Sequence, residues 1–129
     1  MQTYEALHQL RAMSLAEALV EEVQALPYVD PEGAAATGPD AGESARTLFD
    51  NADDFDGFSE TAGTVADAAG VAYGAAFAPF SRSVTAGYQT VTIGDLGAPI
   101  DGLAVLVTVT DDRGMTWTAR RFIPEPATQ

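Results

Sequence analysis

The sequence predicts an α+β fold: one long N-terminal α-helix packed on a three- to four-stranded antiparallel β-sheet. Two features carry the prediction, a stretch without Gly or Pro rich in Ala, Leu, Glu and Gln over residues 1–26, and Val/Thr-rich strand patterns in the last third. A third, the turn Asp111-Asp112-Arg113-Gly114, joins the last two strands as a hairpin, with Gly where a positive φ is wanted.

Taken in order, the helix runs over 1–26 and is stopped by Pro27. Tyr4, His8, Ala12, Leu15, Leu19, Val23 and Leu26 follow at steps of four and three and form the stripe that faces a core. Leu7, Leu10, Met13 and Val20 fall outside that stripe and make a second apolar side available to a neighbour. At ~1.5 Å per residue the helix is roughly 36 Å long, the diameter of a small domain.

Residues 27–79 form an acidic and Gly/Ala-rich loop region. Pro27 to Gly42 is a loop by its Pro, Gly and Ala content, and Leu48 to Phe58 is acidic with three interleaved Phe. Residues 61–79 are small and carry no decisive pattern. The sheet follows over 80–123: Ser81–Ile93, then Leu103–Thr110 with Leu103, Val105, Val107 and Val109 on one face, then Met115–Ile123 with Trp117. Residues 124–129 are a tail.

The chain has 129 residues, room for a single domain, and no cysteine, so thiolate metal sites, disulfides and Cys nucleophiles are excluded. Six Arg and no Lys stand against nineteen carboxylates, a net charge of −13, which argues against any grip on nucleic acid. Nine units of that charge fall in residues 27–67, where ten carboxylates face Arg46 alone. The acid therefore reads as a surface insertion between helix and sheet.

Ser14-Leu15-Ala16-Glu17-Ala18-Leu19-Val20-Glu21-Glu22-Val23 leading into Leu26-Pro27-Tyr28, the segment Phe49-Asp50-Asn51-Ala52-Asp53-Asp54-Phe55-Asp56-Gly57-Phe58-Ser59, and Arg82-Ser83-Val84-Thr85 before a Val/Thr-rich hairpin together resemble type IV pilin-like proteins. The likeness is to minor pilins of the mannose-sensitive haemagglutinin type and to type II secretion pseudopilins, and it runs from about Leu7 to Ile123. It implies a subunit of a filament in the bacterial cell envelope. Its precursor would be anchored in the inner membrane with a periplasmic head, and its partners would be other pilin-like subunits and the inner-membrane assembly machinery. The family's cleavage motif and the apolar stretch after it are not in this sequence, so Met1 is expected to mark a truncation or an internal Met of a longer precursor.

Catalysis is not expected. His8 is the single histidine and has no nucleophile near it in sequence, and Ser81 and Ser83 lack a nucleophile-elbow motif. Asp50, Asp53, Asp54 and Asp56 concentrate hard oxygen ligands that suit Ca²⁺, but Ala52 and the missing twelfth-position Glu exclude an EF-hand. The competing reading is a turn in which the Asp side chains bond local backbone N–H groups. Arg120 and Arg121 end the last strand with one on each face, where they can meet the acidic loop of another subunit. A different class, an extracellular β-rich carbohydrate-binding module, would use Trp117, Tyr88 and Tyr73 as a sugar platform.

Overall fold

A computed structural model describes residues 2–26, 28, 49, 52–92, 97 and 99–124. Most of the expected 27–42 loop, Asp50, Asn51, Ile93 and the tail beyond Pro124 lie outside them, as does the side chain of Tyr4.

The helix α1 spans Gln2–Gln24 and closes with Ala25 N–H donating to the Glu21 carbonyl, just before the proline that cannot continue the ladder. Four strands follow, β1 (Ser59–Glu60), β2 (Ser81–Thr92), β3 (Pro99–Thr110) and β4 (Thr116–Pro124), in the order β1-β2-β3-β4 with every pairing antiparallel. One helix on a four-stranded antiparallel sheet is the expected α+β arrangement. No helix among the described residues is long and apolar enough to cross a membrane.

The helix covers one face of the sheet. Ala12, Leu15, Ala16, Leu19, Val20 and Val23 are buried against Val84, Ala86, Leu103, Val105, Val107, Val109 and Ala119, which share a face by register. The expected alternation over 103–109 is therefore the inward row of the central strand. Each such Val or Leu removed from water contributes roughly 1.5–3 kcal/mol before its entropy cost. Two turns of 3₁₀-helix, Ala52–Phe55 and Ala75–Phe77, fill the ends, and Phe55 and Phe80 complete the core.

The β3–β4 turn takes the expected form. Gly114 has φ +83°, Gly114 N–H donates to the Asp111 carbonyl, and Asp111 N–H donates to that of Met115. Two elements differ from the expectation. The central strand begins at Pro99, not Leu103, because pairing with β2 carries Asp101 and Gly102, both poor strand formers, into the ladder. The two-residue β1 is too short to leave a periodic signal.

Among the described residues, part of the acidic middle is inside the fold and not on a surface insertion. Ala52, Asp53, Asp54 and Phe55 are fully buried, and Glu60 is nearly so. A buried carboxylate persists only with partners, and those shown are close: the Tyr88 hydroxyl donates to Asp53 Oδ2 at 2.6 Å, and Arg82 lies on Glu60.

Candidate functional site

The expected interaction residues fall on two surfaces. On α1, Leu10 is 64% exposed at the side opposite the core, flanked by the half-exposed Leu7 and Met13. In the C-terminal half the same side carries exposed Glu17 and Glu21. The helix is thus apolar at one end of its outer side and acidic at the other. Val20 does not belong to this surface: it is 1% exposed and part of the core. It sits between Glu17 and Gln24, the two residues that Arg121 reaches from β4, so its side of the helix faces that strand.

The adjacent arginines do point to opposite faces. Arg121 lies on the helix side, donating to Gln24 Oε1 at 2.8 Å and standing 3.7 Å from Glu17. Arg120 projects from the outer face of the sheet and is exposed.

That outer face is the second surface. A shallow trough of about 810 Å³ runs across it, with Gly87 and its partner Ala104 as floor and Val91, Leu106, Phe122 and Arg120 around them. The outward apolar residues Val91, Ile100, Ala104, Leu106 and Phe122 stay partly exposed, whereas the inward row is closed by the helix. The signal for it was present in β3, where Ile100, Ala104 and Leu106 make the second face apolar as well, as in strands covered on both sides. The Phe122 ring lies flush on Gly102, where any Cβ would collide with it.

The described part of the acidic motif is used within the fold, where the contacts shown are to partners on β2 and not to local backbone N–H groups. Asp56 Oδ1 accepts the Ala86 N–H at 2.9 Å, fastening the turn to β2, while Asp53 takes the Tyr88 hydroxyl. Phe49, Phe55 and Phe58 stack edge to face around it at centroid distances of 4.9–6.1 Å. Among the described residues no three His, Asp or Glu side chains gather as a cation site, and Asp50 lies outside them.

His8 is buried, with Nε2 2.9 Å from Asp111 Oδ2 and its ring against Phe80 and Trp117. Asp111 Oδ1 accepts the N–H groups of Arg113 and Met115. Burial pushes the Asp111 carboxyl up, but the His8 hydrogen bond, these two N–H groups and the Arg113 charge hold it below its ordinary value. The pair ties the N-terminal half of α1 to the β3–β4 turn. Of the aromatics expected as a sugar platform, Trp117 packs on His8 and Phe80, Tyr88 on Tyr28 and Asp53, and Tyr73 under the Arg82 guanidinium. Each is engaged by a different partner.

Comparisons with protein-family models, with curated proteins and with solved structures return no match in any of the three.

Proposed function

We propose that this chain is a non-catalytic assembly subunit, the head of a type IV pilin-like protein that packs into a filament of the bacterial cell envelope. One observation carries the reading: the largest exposed apolar side chains of α1, Leu7 and Leu10, with Met13, lie on the helix away from its own sheet. A helix satisfied by one sheet has no use for Leu on its solvent side. In a filament these residues pack against neighbouring subunits, and an inner-membrane machinery inserts the precursor.

The test is to tag the gene in its native host, shear the cell surface and look for the chain in the filament fraction by mass spectrometry. The wild-type chain is expected there, and Leu10→Glu is expected to be lost from it while remaining folded. Absence of the wild-type chain from any filament fraction, with a coding region upstream of Met1 that specifies only a plain secretory signal, refutes the reading.

A further inference from the structure

We infer that the trough on the outer face of the sheet receives the exposed side of α1 from a second copy of this chain, so that each sheet is covered by its own helix on one face and a neighbour's on the other. Three observations support this occupant. The trough is apolar and has a low floor, because Gly87 has no side chain and Ala104 beside it has only a methyl, so a large aliphatic side chain can enter between Phe122 and Leu106. The chain itself offers such a side chain in Leu10, at 64% exposure.

Charge selects the same occupant. The outward positions of β2, β3 and β4 hold Arg120 and no carboxylate among the described residues, in a chain of nineteen carboxylates. The side of α1 that carries Leu7 and Leu10 continues into Glu17 and Glu21. Complementary potentials fix orientation and register in such a contact.

The spacing agrees as well. From Leu10 to Glu17 is seven residues of helix, ~10 Å. From Ala104, on the floor of the trough, to Leu106, which pairs with Arg120, is two residues of strand, ~7 Å, and the long Arg120 side chain spans the difference. With Leu10 over the Gly87–Ala104 floor, Glu17 therefore comes within a side chain's reach of Arg120. The contact is heterologous and can repeat from copy to copy. It does not require the filament to be of the pilin type.

Sedimentation velocity of the 129-residue chain tests this, up to ~1 mM protein and in about 0.15 M salt to screen the repulsion between like-charged copies. The wild type is expected to associate with rising concentration. Leu10→Glu, Ala104→Glu and Arg120→Glu are each expected to weaken association at least tenfold, with unchanged circular dichroism as the folding control. An equimolar mixture of Leu10→Glu and Ala104→Glu is expected to form a 1:1 dimer and nothing larger, because one intact helix meets one intact trough. A wild type that stays monomeric, or a mixture that stays monomeric while the wild type associates, overturns the proposal. So does loss of association in Leu10→Glu alone with Ala104→Glu and Arg120→Glu unaffected, an outcome that would leave helix-to-helix assembly standing.

Discussion

Arg82 is the side chain whose removal the fold should tolerate least. It is 2% exposed on the inner face of β2, and its guanidinium donates to Glu60 Oε1 at 2.5 Å, to the Leu15 carbonyl of α1 at 3.0 Å and to the Ala66 carbonyl at 2.7 Å. Glu60 Oε2 in turn accepts the Ala66 N–H, and the Tyr73 ring lies 5.6 Å from the guanidinium carbon. One side chain thus joins helix, β1, β2 and the 61–73 segment. Arg82→Met keeps the apolar stem but leaves Glu60 buried without its cation and takes a donor from two carbonyls. Breaking a buried pair in this way costs about 3–5 kcal/mol, and ~4 kcal/mol is a large share of a stability of ~5–15 kcal/mol. At ~2.1 cal/mol/K per residue of unfolding entropy, that lowers the melting temperature by roughly 15 °C. Glu60→Met should cost a similar amount, since it strands the guanidinium instead. The double variant Arg82→Met/Glu60→Met removes both charges and is expected to lose only about 2–3 kcal/mol, far less than the sum of the singles. Urea and thermal unfolding followed by circular dichroism measure all four chains. An Arg82→Met chain within ~1 kcal/mol of wild type, or a double variant at the sum of the singles, refutes the account of this network.

Three further outcomes are expected. Asp111 titrates below its ordinary value of 3.8 in the folded chain, so the unfolded chain binds its proton first as pH falls. Its contribution is complete above that value and is lost as pH falls through the lower folded value. Urea unfolding between about pH 2.5 and pH 5 should show a shallower loss in Asp111→Asn, which also loses roughly 1–2 kcal/mol at neutral pH with its hydrogen bonds. Val20→Asp should unfold or cost more than ~3 kcal/mol while Leu10→Asp stays within ~0.5 kcal/mol, a contrast read from melting curves that separates core from outer side on α1. Gly102→Ala should cost about 1–3 kcal/mol because its methyl meets the Phe122 ring and stands 2.6 Å from the Ile123 carbonyl oxygen. Adding Phe122→Ala should restore only part, since the carbonyl remains.

Most of the scaffold was legible because it obeys simple periods. The step of three and four along Ala12, Leu15, Leu19 and Val23, and the alternation Leu103, Val105, Val107, Val109, lie on the buried faces they predict. Val20 was misplaced because a stripe drawn along one line of a helix is narrower than the arc a sheet covers, and β4 wraps further round α1 than the stripe implies. The buried acids were illegible for a different reason. A run such as Asp53-Asp54-Phe55-Asp56 has the composition of a solvated turn, and what takes it inside lies far along the chain, in Tyr88 and in the Ala86 N–H. Likewise nothing near His8 announces Asp111, a hundred and three residues on. Hydrophobic burial can be read from local pattern, but polar burial is decided by partners that only the fold brings together.

These polar pairs also bear on assembly. His8 with Asp111 fixes the N-terminal half of α1 to the β3–β4 turn, and Arg82 with the Leu15 carbonyl fixes its middle to β2. Arg121 with Gln24 fixes its C-terminal end to β4. Apolar side chains alone would let the helix slide or rotate on the sheet at small cost, because Val and Leu contacts are interchangeable in direction. Three directional contacts spaced along the helix remove that freedom. Leu10 then points away from the sheet on one side of the molecule while the Gly87–Ala104 trough opens on the other, at a set angle to it. A subunit with complementary surfaces on opposite sides and a fixed rotation between them adds copies in one direction without closing on itself. On that argument, loosening the helix should damage assembly before it unfolds the head. His8→Ala, which keeps the apolar core and removes one of the three contacts, is the substitution that would show it.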